Sequence, residues 1–193
     1  MSNLILASAS PRRQALLSQL GTPFTVLPAD IDERHDDGEV PRDYVMRMSR
    51  TKAEHVAQQY PDAWVLGADT IVTIDGRILG KPKDAADAAA MLSSLSGQVH
   101  DVMTGLALVQ HDQGYMALET VSTRIYFHTL SDADISTYIA AKKPFDKAGA
   151  YAIQDQEGVL VDRYEGCYTN VVGLPLQRTA AMLRCAGLNL GGA

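Results

Sequence analysis

Cysteine is scarce in this chain: Cys167 and Cys185 are the two in 193 residues. They offer neither the paired spacing of a zinc site nor a disulfide framework, and such sparing use fits a reducing compartment. No apolar run approaches the ~20 residues that span a bilayer, and Met1-Ser2-Asn3 lacks the basic start and apolar core of a signal peptide. A soluble, cytoplasmic protein with no membrane partner is expected. Basic residues are also few, 17 against 23 acidic, for a formal net charge of −6. With no array of interleaved aromatic and basic side chains, this balance argues against nucleic acid as a partner. Any phosphate binding has to be local. Other absences remove whole chemistries. The five histidines show no H-E-x-x-H spacing, no G-x-S-x-G elbow occurs, and there is no G-x-x-x-x-G-K-[ST] loop. Zinc hydrolases, serine hydrolases and Walker-type nucleotide sites are thereby set aside.

What is present is enough apolar residue, 46%, to build a real core in one domain over residues 1–193, two-lobed at most. Residues 4–7 read as a buried strand, followed by Ser10 as a helix N-cap with Pro11 at the first helical position. Residues 24–27 make a second strand, and residues 28–40 an acidic loop. A long helix over 41–60 carries Val45, Met48 and Val56 at three-and-four spacing, with Lys52 on the same stripe. Residues 64–67 read as a strand and 71–74 as extended. Asp75-Gly76 signals a hairpin, and 85–95 an alanine-rich helix. Long strands over 99–109 and 116–127 flank a polar turn. Ser131 and Asp134 have the spacing of a capping box at the head of a helix through 141. A strand over 159–161, a turn at Glu165-Gly166 and a last helix over 175–186 complete the chain. Strands and helices alternate early and long strands pair later, so the fold class is α/β with a mixed twisted sheet flanked by helices.

The stretch Ser8-Ala9-Ser10-Pro11-Arg12-Arg13 crowds two hydroxyls and two guanidiniums at a strand-to-helix corner. Helix N-terminal amides, hydroxyl donors from Ser8 and Ser10, and the forks of Arg12 and Arg13 suit a triphosphate. Plain capping with solvated arginines would produce the same letters. Asp69, in Gly67-Ala68-Asp69-Thr70, falls just past the 64–66 strand, where open α/β sheets hold ligands; it suits water activation or a metal. Lys52 breaks an apolar stripe, so its ammonium either snorkels out or meets anions in a site. Lys81, in Gly80-Lys81-Pro82, sits on a loop within reach of a phosphate. Glu33 in the acidic loop suits, with Asp69, a hard divalent cation that takes a few carboxylate oxygens plus phosphates and water.

Together with Asp146-Lys147-Ala148-Gly149-Ala150-Tyr151-Ala152-Ile153-Gln154 and Asn170-Val171-Val172-Gly173-Leu174-Pro175, these motifs resemble, nearly end to end, the Maf family of nucleoside triphosphate pyrophosphatases. The resemblance implies two lobes around a central cleft, as in inosine triphosphate pyrophosphatases. It further implies hydrolysis between the α and β phosphates of a nucleoside triphosphate with Mg²⁺ or Mn²⁺ as the divalent metal cation, and a homodimer. Arg12, Thr70 and Gln154 are similar to the branch acting on dTTP and UTP. On that likeness Asp69 is the proton acceptor, Arg12, Thr70 and Gln154 are specificity positions, and Glu33, Lys52 and Lys81 belong to the active site. A glutamine amide matches the acceptor–donor edge of uracil or thymine. Rotated by half a turn it also fits cytosine, so a second group must fix its orientation and CTP stays open. The same chemistry on 7-methylguanosine triphosphate, and a non-catalytic nucleotide-binding regulator of cell division, are the alternative readings.

Overall fold

A computed structural model describes residues 3–36, 38–155 and 159–191. Strand β1 (Leu4–Leu6) is wholly buried and lies parallel between β2 (Phe24–Val26) and β3 (Trp64–Ile74). Helix α1 (Pro11–Ser18) makes the first crossover and α2 (Pro41–Ala57) the second. Past β3 the sheet turns antiparallel through β5 (Val99–Gln110), β6 (Tyr115–Phe127) and β7 (Val161–Glu165), in the order β2-β1-β3-β5-β6-β7. The short β4 (Arg77–Leu79) folds back on the far half of β3 through the hairpin at Asp75-Gly76. Both turn residues have positive φ, 50° and 75°, as a two-residue loop matched to strand twist requires. The seven-stranded sheet is mixed and flanked by helices, as the alternation of elements predicts.

Because side chains alternate across a strand, β3 serves two layers. Val65 and Ile71 face α2 with Val45, Met48, Ala53 and Val56. Leu66 and Ala68 face the other way, into a core with Leu17 of α1 and Met182 and Leu183 of α6 (Leu176–Cys185). Further along the same face, Val72 joins a second core with Leu92 of α3 (Ala85–Leu95) and Ile135 and Tyr138 of α4 (Asp132–Lys142). These two cores lie side by side along the long strands and form the two lobes. Helix α2 lies unusually close to the opposite face. A Cβ at Gly67 would collide with the Ser49 carbonyl, and one at Gly105 with the Val45 carbonyl. Those two glycines set the distance from which α2 reaches the sheet.

Four local readings change. Residues 64–74 form one strand, so Asp69 sits mid-strand rather than beyond a strand end. Residues 65–73 pair continuously with β5, and that ladder carries the strand through Gly67-Ala68-Asp69-Thr70. The strand expected at 159–161 falls instead at Val161–Glu165, where it pairs with Arg124–Phe127 and the Arg163 guanidinium stacks over the Tyr126 ring. Glu165 therefore ends a strand instead of opening a turn. The short helix α5 (Tyr168–Val172) and the 3-10 turn Ala148–Ala150 have no counterpart in the sequence reading. The capping box forms as expected: the Asp134 amide donates to Ser131 Oγ, and the Ser131 amide to Asp134 Oδ2.

Candidate active site

Strand β1 leaves the sheet after the Ala7 amide donates to the Leu66 carbonyl, and β4 joins β3 only from Val72. Between these points residues 67–71 of β3 have β5 on one edge and, among the described residues, no strand on the other. The bare edge opens into a cleft of about 740 Å³. Neighbouring residues of β3 point to opposite faces, so Asp69 enters the cleft from the α2 side and Thr70 from the side of α1 and α5.

On the α2 side, Lys52 is the centre. Its Nζ lies 2.7 Å from Asp69 Oδ1 and 2.7 Å from Glu33 Oε1. Lys52 and Asp69 are 7% and 8% exposed, and a buried ammonium is tolerable only with anions this close. Glu33 is more open. Burial pushes its carboxyl up, but the Lys52 hydrogen bond and the charges of Lys52, Lys81 and Arg13 outweigh that and hold it below the usual range. Tyr44 donates to the Glu33 carbonyl at 2.7 Å and so ties the acidic loop to α2. Burial, then the charges of Asp69 and Glu33, raise the Tyr44 phenol to about 12. Sequence reasoning missed Tyr44, which reads as one more residue on a helical stripe.

On the opposite side Arg13 is locked. Its Nε donates to the Gly173 carbonyl at 2.8 Å, Nη1 to Ser8 Oγ at 3.0 Å and Nη2 to Thr70 Oγ1 at 3.0 Å. Burial lowers its pKa, with the Asp69 carboxylate opposing. Of five guanidinium N–H groups, two remain for a ligand. Thr104 donates to the Asn170 carbonyl at 3.2 Å, which leaves its oxygen to accept from Thr70 at 2.9 Å. A directed chain therefore runs from Arg13 through Thr70 and Thr104 to α5, between the two apolar cores. Ser8 Oγ accepts from the Ser10 amide as well as from Arg13, so its proton is left to donate. Ser10 caps α1, accepting from the Arg13 amide at 3.4 Å. Thr104 gives no signal in the sequence, because a threonine inside a strand looks ordinary, and Asn170 stands in a family-like motif whose letters do not show that it closes this chain.

The cleft mouth is cationic and loosely paired. Arg12 lies 3.7 Å from Asp146, whose other oxygen pairs with Lys147 at 2.9 Å. Lys81 and Gln154 are exposed on the rim, and Lys81 has no carboxylate within ion-pair reach among the described residues. All ten residues singled out from the sequence, Ser8, Ser10, Arg12, Arg13, Glu33, Lys52, Asp69, Thr70, Lys81 and Gln154, line this one cleft.

Behind the Gln154 wall, His100 is 2% exposed and hydrogen-bonds Tyr151 through Nε2 at 2.8 Å, edge-on to Phe127. Burial lowers its pKa from 6.5 to about 4. The folded protein keeps this imidazole neutral while the unfolded chain protonates it below 6.5, so stability falls as pH drops from 6.5 towards 4. The contribution at stake is about 3 kcal/mol. His100→Gln, followed by denaturant unfolding at pH 5 and pH 7, should show a much smaller difference between the two pH values than the parent chain. An unchanged difference would place the acid sensitivity elsewhere.

For a metal, the donor set is sparse. No group of three or more His, Cys, Asp or Glu side chains gathers among the described residues. Lys52 occupies one oxygen each of Asp69 and Glu33, leaving Oδ2 and Oε2. That set fits a cation of the magnesium type, which takes one or two carboxylates and completes its shell with phosphates and water. It does not fit an all-protein cage.

Fold and cleft together define an α/β protein that sets a lysine-bound carboxylate beneath a cationic mouth. The same fold is seen in a HAM1 protein from Coxiella burnetii, with TM-score 0.56 at 16% identity over 95% of this chain and 99% of that one. The chain belongs to the Maf-like protein family, whose model matches residues 3–186. It is 52% identical over 188 residues to a dTTP/UTP pyrophosphatase of Myxococcus xanthus (strain DK1622), covering 97% of this chain and 94% of that protein. To another of that name from Geotalea uraniireducens (strain Rf4) it is 50% identical over 186 residues, 96% of each chain.

Proposed function

We propose that this chain hydrolyses nucleoside triphosphates, dTTP and UTP foremost, to the nucleoside monophosphate and pyrophosphate. The observation that carries the reading is the Lys52–Asp69 pair on the bare edge of β3, inside a cleft whose mouth is cationic. Relatives about half identical over nearly the whole chain and named for that activity support it.

Asp69 accepts the proton of the attacking water. Lys52 fixes Oδ1, so Oδ2 is the oxygen that faces the water, and a single orientation is prepared before substrate arrives. Water attacks the α-phosphorus, the bond to the bridging oxygen breaks, and pyrophosphate leaves carrying the electron pair. Arg12, Lys81 and the two open N–H groups of Arg13 draw in the phosphate tail and offset the charge that develops on it. A divalent cation, with Asp69 and Glu33 as the carboxylates that would hold it, would supply further neutralisation of the phosphates when bound. Glu33, Lys52 and Tyr44 keep that carboxylate corner in place.

The base lies against the 152–154 wall, where the Gln154 amide reads the pyrimidine edge. The Thr70 hydroxyl is committed to Arg13 and Thr104, so Thr70 shapes specificity by setting Arg13 and not by touching the base. A homodimer acting in the cytoplasm belongs to the same proposal. The test is a panel of ribo- and deoxyribonucleoside triphosphates, 7-methylguanosine triphosphate included, assayed with magnesium or manganese for pyrophosphate release. Turnover should concentrate on dTTP and UTP and disappear on chelation. Tight binding of these nucleotides with no release of pyrophosphate would overturn the reading.

A further inference from the structure

Asp146 and Lys147 stand on the cleft wall, and the mechanism above uses neither. Lys147 precedes the 3-10 turn Ala148–Ala150, in which Gly149 has φ of 67° and donates its amide to the Gly80 carbonyl at 3.0 Å. A side chain at Gly149 would press on Val72, so glycine lets this loop lie against β3. The loop carrying Lys147 is thereby stitched to the loop carrying Lys81. The Lys147 side chain is 14% exposed, its stem covered, and its one ion-pair partner among the described residues is the neighbouring Asp146 at 2.9 Å. Asp146 is 67% exposed, and its second oxygen faces Arg12 at 3.7 Å, beyond hydrogen-bond distance.

We propose that Lys147 is a further phosphate-binding residue of this cleft and that Asp146 is a resident counter-anion, holding Lys147 and Arg12 until a polyphosphate tail displaces it. The inference rests on the functional reading above for the identity of that tail. Three features support it. The Asp146 contacts are an exposed pair between adjacent residues and a loose, half-exposed one, the kind that contributes least and is cheapest to exchange. Phosphate oxygens offer the same two cations several charge-assisted hydrogen bonds at once. Arg13 is the contrast, since its guanidinium is half-buried and held by a carbonyl and two hydroxyls that no ligand needs to displace. Asp146 is also ionised at neutral pH, because the Lys147 hydrogen bond holds its carboxyl below the ordinary range.

A counter-anion and a structural anchor predict opposite signs. If Asp146 merely positions Arg12 and Lys147, its removal weakens anion binding; if it competes with the ligand, its removal tightens it. Inorganic tripolyphosphate is titrated calorimetrically into the parent protein, Asp146→Asn, Lys147→Ala and Lys147→Arg in one buffer at low salt. Asp146→Asn should bind about two- to fivefold more tightly, Lys147→Ala roughly tenfold more weakly, and Lys147→Arg close to the parent. Weaker binding by Asp146→Asn, or parental affinity in Lys147→Ala, overturns the proposal. Should Lys147→Ala fail to fold, the sign of the Asp146→Asn effect alone decides. The probe has no base and no nucleoside, so the two ideas fail separately. A parent protein that cleaves no nucleotide while Asp146→Asn tightens tripolyphosphate binding would sink the functional reading and leave this inference standing.

Discussion

Asp69→Asn should lower turnover of dTTP and UTP by roughly 10²- to 10⁴-fold, the usual worth of a positioned acid–base group. The substitution keeps size and shape and removes the acceptor that takes the proton from water. Lys52 retains Glu33 at 2.7 Å, so its ammonium is not left bare, and the fold should tolerate the change. Nucleotide affinity, measured with an analogue that resists cleavage, should stay close to the parent value, because the phosphate tail is held by the mouth of the cleft. Steady-state turnover beside equilibrium binding separates the two effects. Activity within tenfold of the parent would move the base elsewhere, with Glu33 the nearest carboxylate.

Lys52→Met should have the largest effect on stability. The ammonium is almost fully buried between two carboxylates, and breaking a buried ion pair by removing one member costs about 3–5 kcal/mol. The exposure of Glu33 places the expected loss at the lower end. With the lysine gone, Asp69 and Glu33 face each other as like charges, which raises the pKa of at least one of them in the folded state. A carboxyl whose folded value lies above its unfolded value stabilises below the unfolded pKa and loses that contribution as pH rises through the folded one. The deficit of Lys52→Met should therefore be smaller at pH 5 than at pH 8. Denaturant midpoints at the two values measure it, and a deficit that grows on acidification would show that repulsion between the carboxylates is not its source. Turnover should fall as well, since Asp69 loses the contact that orients it.

Much of the site was legible before any coordinates. The corner from Ser8 to Arg13 announces itself by composition: hydroxyls, a proline that starts a helix and two guanidiniums at a strand end. Lys52 is visible as a charge on an apolar stripe, and Asp69 as a carboxylate flanked by small residues. The position of Asp69 was not legible. Its segment reads as a strand followed by a turn, because glycine, alanine and aspartate are poor strand formers by local preference. Pairing with β5 over residues 65–73 overrides that preference, and the bare edge that makes the site is a matter of where β1 stops and β4 begins. Tyr44 and Thr104 were invisible for a related reason: each is ordinary in its own element and gains its part only from a neighbour distant in sequence.

By itself the sequence determined the mixed α/β class, the caps and hairpin that begin and end elements, and the residue types able to meet a polyphosphate. Those features depend on interactions within a few residues, where spacing alone dictates which side chains meet. Which oxygen of Asp69 is held, why Arg13 is locked while Arg12 is loosely paired, and how close α2 comes to β3 were decided by tertiary structure alone. Each depends on contacts between segments tens of residues apart, whose distances are set by packing, by two glycines under one helix and by the register of a long antiparallel ladder.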